Sequence, residues 1–207
     1  MSKISKALDK YKKEHNLSSA QIFNLNHAKP QDSNLKTGED RTTPENVDVD
    51  AAEMQIRVNV LAATRLAHAA IRGMSTRGRG AVINVSSGAA YVPSLYNSAY
   101  SGTKAYLAIF SLTIAEELRN SGIDVVTVFP GFTRTEFQDR ARFDVSRVPR
   151  FLWQDASQVV TEALAALESG HQFCVPGIHN KVSLALNHLV PYSLMGRVAG
   201  ILARFVP

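Results

Sequence analysis

The chain has 207 residues, 45% hydrophobic and 20% charged, with one cysteine and a formal charge of +5. That composition excludes a disordered chain, an internal disulfide framework and a cysteine-rich zinc site, and no apolar run reaches the roughly 20 residues that span a bilayer. The length suits one compact domain, and a lone thiol with a charged opening stretch, MSKISKALDKYKKEH, gives the expectation of a cytoplasmic protein. Positive charge is unevenly placed: residues 1–50 balance 8 Lys and Arg against 8 Asp and Glu, whereas residues 51–207 carry 15 against 10. Five arginines from Arg134 to Arg150 are interleaved with Glu136, Asp139 and Asp144. Without a lysine-rich stripe or interleaved aromatics this reads as a solvated loop, and no nucleic-acid partner is expected.

In chain order, a short helix is predicted over Ile4–His15, a strand over Ala20–Leu25, and a loop over Lys29–Val47, where Pro30, Gly38 and Pro44 break any regular element. Asp50 is the expected cap of a helix that turns Met54, Ile56, Val58, Leu61, Leu66 and Ala70 inward and ends near Gly73. Gly78-Arg-Gly80 turns into Ala81–Val85, an apolar, β-branched run expected to be a strand buried on both faces. A loop over Ser86–Pro93 precedes a helix from Ser98 to Asn120, with Gly122 as its expected stop. Asp124–Phe129 is a second buried strand, broken by Pro130-Gly131. Asp155 with Gln158 reads as the start of a third helix that buries Val160, Ala163, Leu164 and Leu167 and stops at Gly170. Gln172–Val175 is the last strand. Alternation of helix and strand with short connections is the pattern of a parallel sheet covered by helices.

Ser87, Tyr100 and Lys104 form the constellation that carries chemistry. Tyr100 and Lys104 are four apart on a predicted helix, hence on one face. Ser87 follows the carboxyl end of a buried strand, where open parallel sheets place ligands. A tyrosine hydroxyl ordinarily titrates near pH 10, and a neighbouring ammonium favours its phenolate, so the pair can exchange protons at neutral pH while the serine holds a substrate oxygen. Tyr-x-x-x-Lys alone arises by chance in roughly one chain in four of this composition; the serine thirteen residues earlier and the strand–loop–helix setting make it specific. The six histidines show no metal spacing, so no metal site is expected. Cys174 reads as core, and no Gly-x-Ser-x-Gly elbow surrounds Ser87.

The segments Ile83-Asn-Val-Ser-Ser87, Ala99-Tyr-Ser-Gly-Thr-Lys-Ala105 and Phe129-Pro-Gly-Phe-Thr-Arg-Thr135 together resemble the catalytic half of a short-chain dehydrogenase/reductase, over about residues 50–177. The resemblance implies a doubly wound, Rossmann-like α/β domain that interconverts a carbonyl and an alcohol by hydride transfer with NAD(P). It implies Tyr100 as general acid/base, Lys104 as its electrostatic partner and ribose ligand, Ser87 as substrate clamp, and Asn59 as part of a proton relay. It also implies that Pro130, Gly131, Thr133 and Thr135 line the nicotinamide. The chain departs from the family pattern in lacking the Thr-Gly-x-x-x-Gly-x-Gly turn that holds the pyrophosphate. Thr37-Gly38 is followed by Glu-Asp-Arg, and Gly78-x-Gly80 leads into a strand rather than a helix. The expected sheet is therefore incomplete at its N-terminal edge, with residues 1–49 as a divergent segment, 50–177 as the catalytic core and 178–207 as apolar C-terminal helices.

The apolar tail from Val182 to Pro207 can wall a greasy pocket, pack on a partner subunit or rest on a membrane. Pocket and packing rank first, since only Arg197 and Arg204 are there to meet headgroups. The expected partners are a small apolar carbonyl or alcohol substrate and a second copy of the chain, as a homo-oligomer, with dimer helices at Asp50–Gly73 and Ser98–Asn120. The competing expectation is a catalytically silent relative that acts as a binding or assembly partner.

Overall fold

A computed structural model describes residues 48–93, 95, 97–135 and 148–202; the helix expected over Ile4–His15, the strand over Ala20–Leu25 and the loop that follows lie outside them. The chain divides between Met54 and Gln55 into two units. Of the first, the described part is the start of helix α1 (Val49–Ile56). Its cap is Asp48 rather than the expected Asp50: the Asp48 carboxylate accepts from the Ala51 amide at 3.0 Å, and Asp50 sits inside the first turn, where its charge meets the helix dipole.

Helix α1 runs into a π-helical turn, Arg57–Ala62, and then into α2 (Ala63–Ser75). The extra residue per turn rotates everything downstream off the 3.6-residue period. This explains why Leu61 and Leu66, expected inward, are half exposed, while Ala67 is the buried residue of α2. Strand β1 (Gly80–Val85) follows, then a 3₁₀ turn at Gly88–Ala90, and helix α3 (Ser98–Glu117) leads to β2 (Ile123–Val128). Two-residue strands β3 (Thr133–Arg134) and β4 (Gln154–Asp155) pair with each other, flanking a 3₁₀ turn at Arg150–Leu152. Helix α4 (Ala156–Glu168), strand β5 (Phe173–Cys174) and helices α5 (Ile178–His188) and α6 (Tyr192–Leu202) complete the described chain.

The main sheet has the order β1-β2-β5, parallel throughout. β1 and β2 are in register from Gly80 opposite Ile123 to Val85 opposite Val128. β2 is buried along its length except at Asp124, because both its faces are covered. On one face Val126 and Val128 pack with Cys174 against Val159 and Ala163 of α4; on the other Val125 packs with Ile114 and Ala115 of α3. A third cluster at the carboxyl end joins Phe129 and Val175 to Ala108, with Tyr91 and Leu184 against it. This is the Rossmann-like parallel sheet with flanking helices that the residue pattern implies.

Several local expectations change. β1 is half-buried rather than enclosed, with Val85 52% exposed, because among the described residues it pairs with β2 alone. α4 docks one residue earlier than expected, through Val159, Ala163, Ala166 and Leu167, which leaves Val160 and Leu164 exposed. Asp155 does occupy the N-cap position of α4, but its side chain caps nothing; it lies 3.7 Å from the Arg134 guanidinium, and Gln158 donates forward to Glu162 instead of back. Gly170, at φ +68°, does stop that helix. Gly122 is not the stop of α3, which ends at Glu117; it is the entry to β2.

At Gly122 the backbone adopts φ +78°, its carbonyl accepts from the Gly80 amide, and a Cβ would run into the Gly78 carbonyl oxygen. Backbone conformation and backbone contact both oppose a side chain there. Gly122→Ala is expected to lower stability by about 2 kcal/mol or more in urea unfolding. A loss under about 0.5 kcal/mol would show that this crossing does not constrain the start of the two strands.

Candidate active site

The site is built at the carboxyl end of β1, where two adjacent serines do different work. Ser86 is buried; its amide donates to the Val128 carbonyl at 2.8 Å, and its hydroxyl donates to the backbone carbonyl of Lys104, also at 2.8 Å. Ser87, extended at φ −164°, caps the 3₁₀ turn by accepting from the Ala89 amide at 3.2 Å. Extended backbone alternates side chains, so Ser86 turns to the helix and Ser87 to the turn.

Helix α3 presents Tyr100 and Lys104 one turn apart. The Lys104 ammonium lies 5.7 Å from the centroid of the Tyr100 ring and donates to the Val85 carbonyl at 3.0 Å. Burial holds the lysine below its ordinary pKa, because a cation taken out of water is disfavoured. Thus Lys104 is tied to β1 at two points, by its backbone through Ser86 and by its ammonium through Val85.

Asn59 reaches the same helix from the π-helical turn. Its amide donates to the Thr103 hydroxyl at 3.1 Å, and Thr103 donates in turn to the Tyr100 carbonyl at 2.8 Å. Asn59, Asn84, Val85 and Lys104 line an open cavity of about 420 Å³ beside α2 and the outer edge of β1. Asn84 adds a parallel tie, donating at 2.8 Å to Ser111, which is fully buried and donates back to the Leu107 carbonyl.

The loop after β2 completes the neighbourhood. The Pro130 carbonyl accepts from the Gly88 amide at 3.0 Å, which joins this loop to the turn that carries Ser87. At Gly131 a Cβ would strike the Asn180 carboxamide, so glycine is what lets the loop approach α5. Thr133, half-buried, donates to the Gly131 carbonyl at 3.1 Å, and Thr135 is exposed just past β3. Asn180 in turn donates to the Pro176 carbonyl at 2.8 Å and to the buried Gln154 at 2.6 Å. Tyr91 packs on Phe129 with centroids 5.0 Å apart, and burial pushes its hydroxyl up to about 12.

The structure therefore links Asn59, Tyr100 and Lys104 through α3 and its hydrogen bonds, places Ser87 next to the Ser86 that holds Lys104, and joins the turn that carries Ser87 to the loop at Pro130, with Thr133 in that loop and Thr135 just beyond it. Sequence reasoning missed Ser86, Thr103 and Ser111, whose hydroxyls hold α3 in place. Thr103 and Ser111 carried a signal, since each sits on the predicted helix where a hydroxyl bonds back to a carbonyl three or four residues earlier.

Comparison with known proteins bears on this geometry. A family model described as short chain dehydrogenase matches residues 37–145. The human very-long-chain 3-oxoacyl-CoA reductase is 35% identical over 81 residues, 39% of this chain and 26% of that protein. The human inactive hydroxysteroid dehydrogenase-like protein 1 is 34% identical over 88 residues, 42% of this chain and 27% of that protein. The chain thus matches about a quarter of the length of these curated relatives. Among solved structures, a short-chain dehydrogenase from Sphingobium yanoikuyae in complex with NADPH superposes with a TM-score of 0.61 at 29% identity, over 76% of this chain and 58% of that one. The family model spans more than half of the sequence, and the chain belongs to the short-chain dehydrogenase family.

Proposed function

We propose that the chain is a nicotinamide-dependent oxidoreductase that interconverts a carbonyl and an alcohol on a small apolar substrate. The observation that carries this reading is the doubly tied Lys104, with its ammonium beside the Tyr100 ring and Ser87 at the neighbouring strand end. Tyr100 acts as the general acid in reduction and the general base in oxidation. Lys104 supplies positive charge beside the phenol, where negative charge develops as the proton leaves. Ser87 donates to the substrate oxygen and orients the carbonyl. Asn59, bonded through Thr103 to the helix that carries Tyr100, supports a water relay that returns protons past Lys104.

The residues present fit the nicotinamide half of NAD(P). Lys104 is among the residues that line an open cavity, and the loop that carries Pro130, Gly131, Thr133 and Thr135 is bonded at Pro130 to the turn that carries Ser87. Bound there, the cofactor supplies or accepts the hydride. Resemblance to the NADPH-bound Sphingobium yanoikuyae enzyme supports this placement. Among the described residues no glycine-rich phosphate turn is present, and the choice between NAD and NADP stays open.

Tyr100→Phe is expected to lower the turnover of NADPH or NADH with a panel of apolar ketones and alcohols by about a thousandfold, with cofactor affinity changed less than about threefold. Turnover retained in that variant would refute the role given to Tyr100. The second reading, a silent relative acting as a binding or assembly partner, is favoured by the resemblance to a human protein whose name calls it inactive. It requires that the unmodified chain turn over none of the panel.

We also infer a homo-oligomer in the cytoplasm. Helices α2 and α3 present Leu66, Tyr106 and Ile109 outward, with Ile109 67% exposed and the Tyr106 hydroxyl bonded to Thr64 at 3.0 Å. Ile109→Glu is expected to shift the sedimenting species from dimer to monomer, since it places a charge in the centre of an apolar contact. A dimer unchanged in mass and affinity would place the contact elsewhere.

A further inference from the structure

We propose that the outward face of α5, together with Phe151 and one side of α6, is a docking surface for an anionic lipid bilayer. This does not depend on the oxidoreductase reading. The α5 sequence is amphipathic, and the face that packs inward is the one carrying Asn180 and Leu184, through Pro176, Gln154 and the Phe129 cluster. The opposite face carries Ile178, Val182 and Leu186 at helical spacing, continued by Leu189 just past the helix. Ile178 is 74% exposed and Leu189 76%, with Val182 and Leu186 also exposed. Phe151, 74% exposed, stands beside this ridge. A groove of about 520 Å³ between them is lined by Phe151, Leu152, Val182, Leu186, Val190 and Val198. On α6 the spacing of Leu194, Val198 and Ile201 puts all three on one face, and Val198 of that face lines the groove.

Charge selects the occupant. From Ser169 to Pro207 the sequence contains no Asp or Glu, yet it holds Lys181, Arg197, Arg204 and three histidines. Arg150 flanks Phe151, and Arg150, Lys181, His188 and Arg197 are all exposed. Among the described residues one carboxylate is bonded near the ridge, Glu162, and it is engaged: it accepts from the Gly177 amide and lies 3.5 Å from Lys181. A second copy of the chain packed ridge against ridge would set Arg150, Lys181 and Arg197 against their equals, with Glu162 the carboxylate near the ridge among the described residues. A single acyl chain lying in the groove would leave Leu189, which does not line it, in water. A bilayer with anionic headgroups answers both features, taking the apolar ridge into its boundary layer and the cations at headgroup level. An 11-residue helix is about 16 Å long, enough to lie in the interface and far too short to cross it.

The test is co-flotation of the full chain with vesicles of phosphatidylcholine alone and of phosphatidylcholine with about 30% phosphatidylserine. Binding is expected to the anionic vesicles only, and to fall sharply in about 0.5 M salt. Leu189→Asp is expected to weaken it by roughly fivefold or more, and Arg197→Glu likewise, while Val160→Asp, on an exposed apolar position of α4, leaves it unchanged. Circular dichroism confirms that each variant is folded. Failure to float with either vesicle, or Leu189→Asp binding as well as the unmodified chain, overturns the proposal. So does a change of oligomeric state in Leu189→Asp without vesicle binding, which would assign the ridge to a second copy.

Discussion

The geometry at the heart of this protein depends on how Lys104 is held to β1. A helix packed on a sheet by apolar contacts alone can slide or rotate at modest cost, because hydrophobic attraction has no direction. Two hydrogen bonds remove that freedom here: the Ser86 hydroxyl to the Lys104 carbonyl, and the Lys104 ammonium to the Val85 carbonyl. Together they fix α3 in register and in rotation. Tyr100, one turn earlier on the same helix, is positioned as a consequence. The Asn84–Ser111–Leu107 bonds repeat the device one turn and more further along α3. The Ser86, Asn84 and Ser111 ties are half-buried or buried, so breaking one strands a partner away from water, and the cost exceeds what the bond contributes.

Apolar packing supplies the platform on which those ties act. β2 is enclosed by α3 on one face and α4 on the other, and β1 is aligned to it residue by residue. The carboxyl ends of both strands consequently finish at the same level. The turn after β1 and the loop after β2 are then close enough for Gly88 to bond Pro130. In this way the alternation of buried valines along β2 and the placement of Ser87 beside Pro130 and Gly131 are links in one chain of cause.

Much of this was legible in the sequence, for identifiable reasons. The run Val125-Val-Thr-Val128 has no polar alternation and reads as a doubly covered strand, which it is. Tyr100 and Lys104 are legible because helical spacing alone puts them together. What was hidden falls into three kinds. A π-helical turn has no compositional mark, so the inward face of α2 was misjudged. Ser86 looks like its neighbour Ser87, and only the strand's alternation reveals which of the two turns to the helix. Periodicity in α4 and α5 shows that an apolar face exists but not what covers it. By spacing alone Val160 and Leu164 belong to the core, yet they are exposed, and the ridge of Ile178, Val182 and Leu186 has the same spacing as a packed face.

The family assignment rests on the catalytic half of the fold, and the central claim is that this half holds a nicotinamide. Trp153 offers a direct reporter: its indole donates to the Val148 carbonyl at 3.4 Å, and its ring lies 5.6 Å from Phe132 in the loop after β2. Titration of the full chain with NADPH and with NADH, following Trp153 and nicotinamide fluorescence together, measures occupancy without requiring a substrate. The account predicts a saturable change with one of the two cofactors below about 1 mM. No change in either signal at that concentration would contradict it.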